Sequence, residues 1–171
     1  MDALIGWWDD YFWGAVIVGK VFLCSLSLMI TFGLLGAMAK LSNSRIAQNL
    51  AGIYTVVFRG TPPILIILLF YFGSAITLTA IAQIIDPEIK FVDVPPFWAG
   101  TIAIAVLVGS YATETFRGAF LGVNPGSIEA ARALGMSNLQ TFIYVRIPEM
   151  WRLALPPFGN HMFSLIKDTA L

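Results

Sequence analysis

Residues 60–85 read GTPPILIILLFYFGSAITLTAIAQII, twenty-six consecutive positions without a charged side chain. A helix of that length crosses a hydrocarbon layer about 30 Å thick. Uncharged windows also run from Val21 to Ala39, from Val94 to Thr113 and from Leu153 to Ile166. The first two are long enough to span; the last is short and must extend past its flanking charges. The expected spans are residues 14–39, 60–85, 94–113 and 150–171, with a polar loop at 114–148, in one all-α polytopic membrane domain covering 1–171.

Composition points the same way. The chain is 58% hydrophobic and 12% charged, with mean hydropathy +0.81. A soluble domain carries about 25% charge. Formal net charge is zero and no basic run or face occurs, which argues against a nucleic-acid partner. Cys24 is the sole cysteine, so an intrachain disulfide or a multi-cysteine metal site is excluded and packing is its expected role. The first window is not a cleavable signal, because Asp2, Asp9 and Asp10 stand where a basic region is required.

Lysines and arginines set the expected orientation. Lys40, Arg45 and Arg59 fall in the connection after the first span, and Arg117, Arg132, Arg146 and Arg152 in the one after the third. The opposite side holds only Lys90, beside Asp86, Glu88 and Asp93. Seven basic residues against one make those two connections cytoplasmic and put the N-terminus outside. Trp7, Trp8, Trp13, Trp98 and Trp151 stand near span ends and are expected in the interfacial belts. Lys20, one turn inside the first span, is expected to snorkel outward.

The longer cytoplasmic connection has its own pattern. Asn124-Pro125-Gly126 breaks the chain, Ser127 suits an N-cap and Gly135 a C′ position, so a two-turn helix is expected over 128–134. Ser137-x-x-Gln140 is a capping box for a second helix. Glu129 lies in the first turn with Arg132 three residues on, and Ala130, Ala131 and Ala133 leave room for another protein to approach closely. Glu129-Ala130-Ala131-x-x-x-Gly135, nine residues, then Val145-x-Ile147-Pro148 resembles the loop by which ABC-importer permeases dock on their ATPase.

Other segments resemble the polar amino-acid branch of that family, which carries histidine, basic amino acids, glutamate, glutamine and opines. They are GLLGAMAKLS (33–42), FRGTP (58–62), YFG (71–73), YATETFRGA (111–119) and LIKDTAL (165–171). The overall look is closest to the opine (octopine or nopaline) and lysine/arginine/ornithine/histidine permeases. The resemblance implies a type I ABC-importer permease bundle in a bacterial inner membrane, with four of an expected five spans in a chain that stops early. It implies as partners an ATPase dimer carrying ATP and Mg, a second permease subunit, a solute-binding protein and membrane lipid. The chain itself is expected to hold no cofactor or metal and to catalyse nothing. The coupling residues are then Glu129, Ala130, Ala131, Gly135 and Pro148.

Candidate pathway residues are Asp168, Lys167 and Arg59. An ionisable residue at membrane depth is a functional candidate, and an aspartate facing a cavity could hold a cationic solute group. The alternative is that Lys167 and Asp168 lie at the outer interface and meet water. Arg59 is either a positive anchor or part of a hinge made by Gly60-Thr61-Pro62-Pro63. Glu114 and Arg117 are expected to pair on one helix face, and His161 to be a packed, hydrogen-bonded residue.

Gly14-x-x-x-x-Gly19-Lys20 resembles a phosphate-binding loop but continues with Val21 where Ser or Thr is needed. Gly118-x-x-x-Gly122 has helix-dimer spacing within a polar stretch, where it is expected to confer flexibility. A secondary transporter would show two related halves, and none is visible. A membrane enzyme would have only Glu114 with Arg117, or Asp168 with Lys167, to work with.

Overall fold

A computed structural model describes residues 7–169; the expectations resting on Asp2, Ala170 and Leu171 lie outside them. The described residues form α1 (Trp8–Leu41), α2 (Arg45–Gly60), α3 (Pro63–Ile85), α4 (Pro96–Gly122), α5 (Pro125–Ala133), α6 (Asn138–Thr141) and α7 (Ile147–Asp168). A π-helical turn, Phe142–Arg146, joins α6 to α7. Among these, α1, α3 and α4 are long and apolar enough to cross a membrane. The chain is therefore an all-α, multi-pass, membrane-embedded bundle, in which α7, with 22 residues, is the less apolar long helix.

Helix α4 occupies the centre, with α1 and α7 along it and α3 and α2 on its remaining sides. Fourteen of its residues are buried, whereas α3 buries only Ile66 and Ala75. Exposed α3 side chains such as Leu69, Ile76 and Ile84 would each cost about 1.5–3 kcal/mol in water, so this surface belongs against lipid or another helix.

Helices α1 and α4 run parallel. Ser25 donates to the Thr101 carbonyl at 3.1 Å, and two turns further on Gly33 faces Ala112. A Cβ at Gly33 would stand 2.8 Å from that of Ala112, and one at Gly36 would collide with Thr113. Small residues thus let the two backbones approach, as in membrane helix pairs. Helix α7 runs antiparallel to α4: Phe116 stacks edge-on with Trp151 at 5.5 Å and packs on Phe158 at 5.8 Å.

Several expectations are corrected. The 40–59 connection is mostly helix: α2 starts from Ser44, whose side chain accepts the Ala47 N–H, and packs back along α1. Its length and amphipathic pattern hid it from a search for charge-free windows. The break before α3 comes from Thr61 and Pro62, both extended (ψ 135° and 139°) because a proline follows each. Helix α4 continues nine residues beyond Thr113 to Gly122, because the charges that end the apolar window, Glu114 and Arg117, are good helix formers. Gly118-x-x-x-Gly122 is therefore helical and not a flexible loop. Lys20 lies three turns into α1 on an exposed face, and Trp151 is half-buried, packed against Phe116 of α4.

Candidate functional site

Two regions carry the candidate residues. One is a polar pocket within the bundle. Tyr111, one turn before Thr115 on α4, donates to the Arg59 carbonyl at 3.3 Å, and the Arg59 guanidinium lies 5.4 Å over its ring. His161 of α7 shares a 2.8 Å hydrogen bond with Thr115 and packs beside Tyr111. The expectation of a packed, bonded histidine matches this geometry. Beyond His161, one face of α7 brings Ser164, Lys167 and Asp168 to a cavity of about 230 Å³ closed by Leu107, Val108, Tyr111 and Pro63.

Leu107, Val108 and Tyr111 belong to the middle of α4, so Asp168 and Lys167 lie level with the centre of that helix and away from its Pro96 end. The two-proline break between α2 and α3 delivers Arg59 to the same level. Arg59 and the adjacent pair Lys167 and Asp168, more than 100 residues later in the chain, are thereby gathered around Tyr111. At about 230 Å³ the cavity is smaller than the roughly 300–1,000 Å³ of a small-molecule site, room for the charged end of a solute. Tyr111 and His161 as its walls were not expected; Tyr111 stood only inside the YATETFRGA segment.

Glu114, one helical position before Thr115, belongs to a separate network. It pairs with Arg117 at 2.9 Å, as expected, and with Lys40 of α1. Lys40 also donates to Thr55 of α2 at 2.6 Å. No spacing rule could have exposed a pair 74 residues apart.

The second region is the docking segment. Its first helix starts three residues earlier than expected: α5 spans Pro125–Ala133, and Asn124, not Ser127, is the N-cap, accepting the Gly126 N–H at 2.9 Å. Asn124 is the better cap here because Pro125 behind it has no N–H to satisfy. Asn124's own N–H reaches Glu149 at 3.1 Å, tying α5 to the first turn of α7. At the other end Gly135 adopts φ +83°. Met136 N–H bonds the Ala131 carbonyl at 3.1 Å and Gly135 N–H that of Arg132 at 3.0 Å, a Schellman stop. The Ser137–Gln140 capping box forms reciprocally, at 2.8 and 3.3 Å.

Side-chain directions refine the expectation for this segment. Glu129, Ala130 and Ala133 are exposed, but Ala131 is buried and turns inward, so it is not open to a partner. Arg132 does not pair with Glu129; it donates to Asn138 at 3.3 Å. Pro148 lies in the first turn of α7, directly after the π-helical turn. Its ring and missing N–H disfavour an α-helical turn before it, and the Ile147 N–H bonds the Phe142 carbonyl one residue further back than usual.

Residues 29–171 match the family of the "binding-protein-dependent transport system inner membrane component". The chain is 40% identical over 158 residues to the histidine/lysine/arginine/ornithine transport system permease protein HisQ of Salmonella typhimurium, covering 92% of this chain and 68% of the relative. It is 41% identical over 166 residues to the nopaline transport system permease protein NocQ of Agrobacterium fabrum, covering 97% and 70%. The crystal structure of an amino acid ABC transporter with histidines superimposes with a TM-score of 0.78 at 28% identity, over 98% of this chain and 72% of that one.

The chain belongs to the family of binding-protein-dependent transport system inner-membrane components. It is a transmembrane permease subunit of an ABC-type importer and not a secondary transporter; ATP is hydrolysed on a separate subunit. Family membership implies an ATPase, a second permease subunit and a solute-binding protein around it. Among the described residues no group of His, Cys, Asp and Glu is arranged to hold a metal.

Proposed function

We propose that this subunit carries a basic amino acid or an opine past Asp168. The observation that supports this reading is the placement of Asp168 on a cavity level with the middle of α4, beside Tyr111 and His161. A carboxylate at that depth is costly unless a cation offsets it. Lys167 supplies one such charge, and a cationic solute head would add another. The named relatives include permeases for histidine, lysine, arginine, ornithine and nopaline, which favours the same solute class. Arg59, held over Tyr111, would turn toward a solute carboxylate.

In this reading α1, α3, α4 and α7 make four crossings, with the N-terminus outside and α5 in the cytoplasm of a bacterial inner membrane. An ATPase dimer presses on Glu129 and Ala130. Gly135 and Pro148 keep that helix rigidly joined to α7, and α7 carries the stroke to Asp168. A second permease subunit, identical or different, completes the pore, and an outer binding protein delivers solute. Uptake of labelled arginine against a neutral amino acid by the assembled complex bearing Asp168→Asn tests the solute claim. Cysteine labelling from outside, reaching a probe near Glu88 and not one near Asn138, tests the orientation; the reverse pattern overturns it.

A further inference from the structure

Leu34, Met38 and Leu41 share one face at the end of α1 and, with Phe120, Met150 and Trp151, wall an apolar groove of about 510 Å³. The groove ends at Phe142 and Arg146 of the π-helical turn. These two residues also open on a second pocket of about 200 Å³ whose other walls are Ile128, Arg132, Asn138 and Thr141. Arg146 Nε and Thr141 Oγ1 are buried without a hydrogen-bond partner, and the Arg146 guanidinium rests 5.8 Å from the Phe120 ring centre. Arg132 gives only part of its donor set to Asn138.

No carboxylate lines either pocket among the described residues. Glu149 is engaged with the Asn124 N–H, and Glu129 is exposed. Buried donors left unpaired are costly. Two guanidinium groups and a hydroxyl around one small space call for an anion with several acceptor oxygens, which is the chemistry of phosphate. The adjoining groove supplies the apolar half. It follows α1 for about 10 Å where that helix passes from apolar residues to Lys40, the level of a lipid headgroup.

We propose that the two pockets together hold one anionic phospholipid, its phosphate on Arg132, Arg146 and Thr141 and an acyl chain along Leu34, Met38 and Leu41. The headgroup bridges α5 to the π-helical turn, so lipid charge sets how firmly the docking segment is held against the bundle. The site is separate from the Asp168 cavity and independent of the solute carried.

The test uses the purified complex of permease subunits and ATPase, analysed by native mass spectrometry with added phosphatidylglycerol or phosphatidylcholine of the same chains. Phosphatidylglycerol should be retained in preference. Arg146→Gln should lower its retention about tenfold, the worth of one charge-assisted hydrogen bond. Arg132→Gln, at an exposed position, serves the same purpose should Arg146→Gln fail to assemble. Met38→Trp, which fills the groove and spares both arginines, should also lower retention, and inorganic phosphate should not compete. Equal retention of the two lipids, or arginine variants that bind as the wild type does, overturns the proposal. So does displacement by inorganic phosphate with Met38→Trp without effect, which marks a free-phosphate site, or a complex in which another helix fills the groove and no lipid is held.

Discussion

Lys40, at the end of α1, forms an ion pair with Glu114 of α4, across 74 residues of sequence. Their side chains are 16% and 23% exposed, and Lys40 also holds Thr55 of α2. One ammonium group thus joins three helices where the apolar windows give way to charge.

Lys40→Met should therefore lower the melting temperature of the detergent-solubilised subunit. Glu114 would keep Arg117, so the expected loss is about 1–3 kcal/mol, below that for an abandoned buried charge. In a double-mutant cycle with Glu114→Gln the two losses should be less than additive. Strict additivity would mean that the pair contributes nothing.

Asp168→Asn removes a charge and nearly preserves shape. If the carboxylate meets the solute, arginine uptake should fall about tenfold to a hundredfold, the equivalent of 1.5–3 kcal/mol, with membrane insertion unchanged. Normal rate and half-saturation for arginine would leave Asp168 as a structural wall.

Gly135 has φ +83° and open space around its missing Cβ, so substitution there strains the backbone without steric collision. Gly135→Asp should insert normally yet reduce substrate-stimulated ATPase of the complex, at a backbone cost of about 1–2 kcal/mol. Gly135→Asn, a residue that tolerates this conformation, should be milder. Equal coupling in all three proteins would separate the helix stop from the stroke.

Gly33→Ala puts a methyl 2.8 Å from Ala112 at the α1–α4 contact, whereas a Cβ at Gly118 meets nothing within 4 Å. The first should destabilise the subunit by about 1–3 kcal/mol, while Gly118→Ala should be neutral or slightly stabilising. Thermal melting of the two purified variants distinguishes them, and equal melting temperatures would argue against a tight contact.

Much of the docking segment was legible because its signals are local. Gly135 as a helix stop and Ser137 with Gln140 as a capping box depend on hydrogen bonds within about five residues, and the structure forms both. The Asn124 cap was missed because Ser127 is an equally good cap by type, and only Pro125 as first helical residue decides between them. The inward turn of Ala131 was not legible, since three alanines look alike until one face of α5 meets the bundle.

Apolar length and capping chemistry, both set by neighbours in the chain, were enough for the sequence by itself to determine a helical membrane bundle with a capped polar segment. Only the tertiary structure could decide that Lys40 meets Glu114, that Gly33 and Gly36 are spaces for Ala112 and Thr113, and that Arg59, Tyr111, His161 and Asp168 surround one level of α4. These contacts depend on how parallel α1 and antiparallel α7 register against α4. Helix–helix register is chosen by side-chain packing summed over the whole interface, and no single stretch of the chain contains that sum.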